Sequence, residues 1–420
     1  MQKGLKLIAL CLAALLSAAC AKAPAPVLVS TPEPPPERIL VGRVVPVTGR
    51  LASFGSGTPY VEQAAIDYIN NSLGGVYIEE AGQKLPLELI WADSESDVTK
   101  AAEAAVKLIV EDGVDVMIVS NTVDTVNPVS AACERYGVPC ISTDAPVDAW
   151  LDNGPYEYSF HAFFNTENEM LCFIDAWNLA DTNQRVGLLT ANDSEGVEIA
   201  TALPPIASSR GYSIVDPGRY AIGAEDYSQI IQALKSAYCD IVVGVMTAPD
   251  FAVFWRQCAE LDYRPKLCTI AKGCLFASDV QALGPLGDGL ISEVWWSPDF
   301  PYASSITGQS SRELSEDYLA NTSFDFVPAT LGYKHANIEL LYDILRRAAS
   351  LDPARICAAA ADTDLSTVVG RIRFGANHAC VMTVATGQWV LGEDGRFSQS
   401  IIANTQIPEV PLSGGLRPLG

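Results

Sequence analysis

The sequence predicts an α/β protein of two similar lobes, each a mainly parallel sheet with helices on both faces, and three observations lead there. From Arg38 onward, short apolar runs alternate with amphipathic stretches across short connections, the pattern of repeated β-α units. After DAPVDAWLDNGPYEYSF (144–160) the same alternation begins again. Two stretches are also approximate counterparts, VDVMIVSNTVDTVNPVSAACERYGVPCIST and CDIVVGVMTAPDFAVFWRQCAELDYRPKLCTIA. In each, an Asp precedes an apolar strand, a polar turn opens a helix bearing a cysteine, and a strand with another cysteine follows.

In chain order, RILVGRVVPV reads as a buried strand, and a loop with Gly49, Gly55 and Gly57 follows it. TPYVEQAAIDYINN reads as a helix, with Thr58 as N-cap, Pro59 at the first helical position, and Val61, Ala65, Tyr68 and Ile69 on its inner stripe. LPLELIWADS is the next strand, DVTKAAEAAVKLIVEDG a helix ended by Gly113, and VDVMIVSN a strand. The helix NPVSAACERYG and the strand VPCIST complete the first series. The second series runs RVGLLTAN (strand), SEGVEIATALPPIASSRG and DYSQIIQALKSA (helices), CDIVVGVM (strand), PDFAVFWRQCAELD (helix) and KLCTIA (strand).

The glycine loop invites a phosphate-binding reading, which its spacing rejects. A dinucleotide fingerprint needs G-x-G-x-x-G, but Gly55 and Gly57 are followed by Tyr60, and no Gly-Lys pair occurs for a P-loop. What the loop is expected to deliver is a bare helix N-terminus, which suits a carboxylate as well as a phosphate. There is no G-x-S-x-G elbow, no CxxC and no H-E-x-x-H, and His161, His335 and His378 are widely spaced. No catalytic residue, cofactor or metal site is therefore expected. Trp295 and Trp296 read as core or hinge packing.

The chain opens MQKGLKLIALCLAALLSAAC, an export signal of basic residues, an apolar run and small residues before Cys20. Residues 21–37 hold six prolines in seventeen positions and read as an extended tether. No later run is long and apolar enough to span a membrane. With 27 Lys+Arg against 50 Asp+Glu and a formal charge of -23, a nucleic-acid partner is excluded, and the acidity reads as solubility. Of eleven cysteines, setting aside Cys11 and Cys20 leaves nine, so at least one thiol stays unpaired. The pairs Cys133 with Cys140 and Cys258 with Cys268 are candidate disulfides, with buried free thiols as the alternative.

The run "strand, P-x-T-G, loop, F-G, helix with A-A-x-D-x-I-N", followed by EDGVDVMIVSN and YGVPCISTDAP, resembles the type I periplasmic solute-binding proteins of the branched-chain amino acid group. VGLLTANDSEG, PDFAVFWRQCAELDYRPK and LISEVWWSPDFPY fall in the same family order, so the resemblance covers nearly the whole chain after the tether. It implies two Rossmann-like lobes joined by a three-strand hinge, closing around a small ligand that is presented to an ABC transporter permease. The crossings are expected near Tyr156–His161, Leu290–Ser297 and Val369–Phe374. They imply a first lobe of residues 38–158 and 297–364, a second of 159–296 and 365–404, and a tail of 405–420. Residues 1–20 resemble a bacterial lipoprotein signal, with Cys20 the lipidated residue of a protein held at the periplasmic face or cell surface. Cleavage without lipid is the alternative, because Ser17 stands where that signal prefers a large aliphatic.

The resemblance further implies an amino-acid carboxylate held by the first lobe and an amine held by the second. The positions that match are Thr48, Phe54, Asn121, Thr122, Thr125, Thr143, Asp144 and Ala145 in the first lobe, and Asn192, Asp193, Thr247, Asp250 and Lys272 in the second. Asn121, Thr122, Asp193 and Asp250 have helix capping as the plain alternative. Asp144 departs from the family pattern: a carboxylate there either turns away or selects a cationic or hydroxylated ligand. Lys272 suits a carboxylate in a reversed pose. A ligand-sensing module of a signalling system is the other function this fold serves, and an enzyme is the remaining one.

Overall fold

The computed structural model describes residues 35–419. The expected signal, Cys20 and residues 21–34 of the tether lie outside them. Along the chain the strands are β1 (Ile39–Val45), β2 (Val76–Ile78), β3 (Gln83–Leu85), β4 (Leu87–Asp93), β5 (Val116–Val119), β6 (Cys140–Thr143), β7 (Ser159–Phe163), β8 (Arg185–Thr190) and β9 (Ser213–Val215). There follow β10 (Ile241–Met246), β11 (Leu267–Lys272), β12 (Ile291–Val294), β13 (Asp364–Thr367), β14 (Gly370–Arg373), β15 (Ala379–Val381), β16 (Ala385–Leu391) and β17 (Phe397–Ala403).

Two main sheets result. The first has the order β15-β7-β6-β5-β1-β4 with every pairing parallel. The second has the order β17-β16-β12-β11-β10-β8-β9, parallel through β12 and antiparallel at β16 and β17. Their central strands are apolar throughout, as in VMIV of β5 and IVVGVM of β10, because helices cover both faces and leave no solvated side to alternate with. Close packing fixes Gly42 in β1: a Cβ there would stand 2.2 Å from the Met117 sulfur.

Two of the three crossings between the sheets differ from the expected ones. Residues 159–163 pair with β6 and β15 inside the first sheet, so the chain leaves that sheet only after Phe163. Residues 369–374 do not cross either. Gly370–Arg373 fold back on Asp364–Thr367 as a two-stranded hairpin, and the chain passes from the first sheet to the second between Val381 and Ala385. An apolar run such as VVGRIRF looks the same in a hairpin as in a hinge, because period alone does not identify the partner. The expected tail is not free, since Ile407 and Val410 are buried and Tyr302 donates to Glu409 at 2.8 Å.

Local corrections follow the same logic. The helix over Thr58–Ser72 is entered from Gly57, in the left-handed region at φ 75°, so Thr58 lies in its first turn and caps nothing. Its stripe is Val61, Glu62, Ala65, Ile66 and Ile69, and Tyr68 is only half-buried. The helix expected at Asn127 begins at Val123 and carries Pro128 inside it. Cys133, Cys140, Cys258 and Cys268 are buried free thiols, and so are most of the other described cysteines. Among the described residues no helix is long and apolar enough to cross a membrane.

Candidate functional site

The carboxyl ends of β1, β5 and β6 face those of β8, β10 and β11, and the side chains between them define the candidate site. Behind the first wall lies a layer of buried charge. Arg43 on β1 donates to both carboxylate oxygens of Glu62 at 2.9 and 3.0 Å, to Ser120 at 2.6 Å and to Asn121 at 3.2 Å. Lys334, on the helix Leu331–Ala348, reaches Asp144 at 3.1 Å and Ser120 at 3.3 Å. Arg43, Glu62, Asp144 and Lys334 are all fully shielded from water. Asp144 is thus turned to a lysine within its own lobe, which removes it both as a repellent for a ligand carboxylate and as a selector.

This layer holds the loops of the first wall. Asn121 Nδ2 donates to the Phe54 carbonyl at 2.5 Å, and the Thr122 N–H donates to the Asp144 carbonyl at 2.9 Å. Asn121, Thr122 and Asp144 all have φ between 67° and 84°, a conformation non-glycine residues hold only when their surroundings over-determine it. Thr143 accepts from Asn337 at 3.1 Å, and the Ala145 carbonyl lies 2.7 Å from His161 Nε2. The Asn121 and Thr143 side chains and the Ala145 carbonyl are thus engaged within the first lobe, and Thr125 is buried in the first turn of its helix. Thr122 differs, because its hydroxyl is buried without a partner and no side chain caps the helix Val123–Tyr136 that follows. A hydroxyl and a bare helix N-terminus together suit a carboxylate.

The opening loop reaches across to the second lobe. Arg50 donates to Asp250 at 2.7 Å and to Thr247 at 2.8 Å, and Ser53 Oγ lies 3.1 Å from Asp279 Oδ1. Phe54 meets Phe276 edge-on at 4.9 Å between centroids and Trp295 at 6.0 Å, and Trp295 packs in turn on Phe163 and Phe164. The cleft is closed by these contacts. The helix start at Gly57 packs against the first lobe, where a Cβ would lie 3.2 Å from Pro328 and Tyr318. Thr48 is bound to Asp93 at 2.7 Å on an exposed rim.

In the second wall, Lys272 ends β11 at φ 61° and pairs with Glu195. Burial works against its charge, but Glu195, Asp124 and Asp193 outweigh that and hold the ammonium above its ordinary value. Asp193 caps the helix Ser194–Ser208 by accepting from Gly196 at 2.8 Å, and Asn192 is exposed. Deeper lies Glu293, which burial pushes up to about 8, and nearer the surface Glu198 is half-buried and pushed up to about 7. Sequence reasoning missed Arg50, Ser53, Phe276, Asp279, Glu195, Glu169 and Glu293. Arg50 and Ser53 carried a signal, standing in the loop that had already supplied Thr48 and Phe54, as did Glu195, in the first helical turn after Asn192 and Asp193.

These shifts set a pH dependence. Glu293 and Glu198 keep protons in the folded chain that the unfolded chain has released, so their contribution is present below about 4.5 and is lost as pH rises through 7 to 8. His161 and His335, lowered by burial to about 4, act oppositely, and their contribution is lost as pH falls through 6.5 toward 4. Above pH 6.5 the carboxyls dominate. The thermal midpoint of the ligand-free protein should fall between pH 6.5 and 8, with buried Glu293 costing on the order of 1 kcal/mol of stability and the part-exposed Glu198 much less. A midpoint that climbs over that window contradicts neutral buried carboxyls.

A family model described as Periplasmic binding protein matches residues 38–396. The chain is 24% identical over 348 residues to the Leu/Ile/Val-binding protein BraC3 of Rhizobium johnstonii, covering 80% of this chain and 87% of the relative. It resembles in structure the leucine binding protein LivK of Thermotoga maritima, with a TM-score of 0.74, 16% identity and coverage of 88% of this chain and 99% of that one. It also resembles a solute binding protein of an ABC transporter from Rhodopseudomonas palustris in complex with 3,4-dihydroxy benzoic acid, with a TM-score of 0.69, 19% identity and coverage of 88% and 97%.

Proposed function

The chain belongs to the periplasmic binding protein family, and from that premise we propose that it captures an amino acid or related small polar or carboxylate compound between its lobes and presents it to the permease of an ABC importer. The protein binds its solute and does not transform it. The observation that carries the reading is the meeting of the two strand-end walls across the Arg50–Asp250 and Ser53–Asp279 contacts, which a ligand touching both walls would stabilise. On the first wall the unpartnered Thr122 hydroxyl and the uncapped helix start after it receive the ligand's carboxylate. On the second, Lys272 and the carboxylates around it receive its polar or charged groups. Export carries the chain to the periplasm, and lipidation at Cys20 would hold it at the membrane face.

The test is thermal unfolding against amino acids, aromatic carboxylates, polyamines and nucleotides. A ligand at about a hundredfold over its Kd adds roughly 2.7 kcal/mol, a readable rise in midpoint. The expected result is a rise with at least one amino acid, amine or carboxylate, and a rise with nucleotides alone would sink the reading.

A further inference from the structure

Four cations stand at the interlobe gap or in the layer beneath it, and each has its carboxylate: Arg43 with Glu62, Lys334 with Asp144, Arg50 with Asp250, and Lys272 with Glu195. The second wall carries two further buried carboxyls, Glu169 on the helix Thr166–Asn178 and Glu293 on β12. Each is at least 98% shielded, and each has an Oε2 atom without any hydrogen-bond partner. The helix Thr166–Asn178 packs on β12, and the charge of Glu293 adds to burial in raising Glu169.

Glu293 lies beside the contact between the lobes. Glu293 Oε1 accepts from Trp295 Nε1 at 3.2 Å, and the Trp295 ring is the one that packs on Phe54 of the opening loop. Asp124 of the first lobe is within charge range of Lys272 and Glu195, and Glu198 and Asp148 add negative charge on the same side.

Buried acceptors without donors are rare in native proteins, and a bound cation is one of the explanations for them. Among the described residues no group of three or more His, Cys, Asp or Glu is disposed to hold a metal ion. The ligand-free chain holds protons on this pair, and an organic cation bringing N–H donors to both carboxyls would displace them, so its capture would release protons while its bonds to the resulting carboxylates are strengthened by the dry surroundings. We propose that Glu169 and Glu293 form a subsite for an ammonium or guanidinium group beyond a ligand's α-amine, so that the protein prefers solutes of net positive charge, of the basic amino acid or diamine class. This rests on the capture of a solute between the lobes.

The test is calorimetric titration of the full chain at neutral pH with lysine, norleucine, cadaverine, leucine and 4-hydroxybenzoate. Norleucine is lysine without its terminal ammonium, so the ratio of their affinities reads the second cation alone. Lysine is expected to bind at least about tenfold tighter than norleucine, a ratio that falls to within about threefold in Glu169→Gln and in Glu293→Gln. Both variants keep the side-chain shape, and their thermal midpoints report folding. Norleucine binding as tightly as lysine, or a ratio that survives both variants, overturns the subsite while leaving solute capture standing. No heat from any of the five overturns the subsite and counts against the capture reading as well.

Discussion

Lys334→Ala is expected to cost about 3–5 kcal/mol of stability, the range for leaving one member of a buried ion pair without its partner. The lysine and Asp144 are both fully shielded, and Asp144 Oδ1 already lacks a donor, so the variant strands a charge that water cannot reach. Ser120 loses a donor as well. Chemical denaturation should show the midpoint falling, with the double variant Lys334→Met/Asp144→Asn recovering most of the loss. Asn suits that second position because it tolerates the φ of 67° found there. A single variant within about 1 kcal/mol of the parent would show that the pair is not buried as charges.

Arg50→Ala acts on closure, not on folding. Arg50 is the guanidinium that ties the opening loop to Asp250 and Thr247 across the gap, at 2.7 and 2.8 Å. Its side chain is 31% exposed, so the lower end of the range for charge-assisted bonds applies, about 1.5 kcal/mol, or roughly tenfold in affinity. The loss should fall on the off-rate, because the closed state is what retains a ligand. Stopped-flow release of whichever ligand raises the thermal midpoint would read it, and an unchanged off-rate would remove the contact from the closing motion. Asp250 would still accept from the Gly223 N–H at 3.0 Å, so the second lobe should fold normally.

Much of the architecture was legible because it is written in periodicity. Val116–Val119 and Ile241–Met246 are apolar on both faces, and the helices between them repeat at helical spacing, so two covered sheets follow from the chain itself. The crossings were less legible, because whether Ser159–Phe163 pairs with β6 or passes on depends on a partner more than two hundred residues away, at Ala379–Val381. At the site, the family resemblance pointed to Thr122, Thr247, Asp250 and Lys272. What it could not name was which side chains are already taken. For Asp144 the choice between turning away and selecting the ligand stayed open because Lys334, its partner, lies on a distant helix that reads as ordinary amphipathic sequence. Glu169 and Glu293 were missed for the same reason, since a lone Glu in a helix or strand carries no sign that its neighbours leave it unpaired.

The layer of paired ions beneath the first wall has a consequence for how such a protein changes over generations. Arg43, Glu62, Asp144 and Lys334 interlock, so a substitution at any one of them must be answered at another. Glu169, Lys272 and Glu293, in the opposite wall, have no comparable lattice behind them. Retooling for a new solute should therefore accumulate in the second lobe, with the first drifting little. Variants selected for altered ligand preference would then map to one side of the hinge.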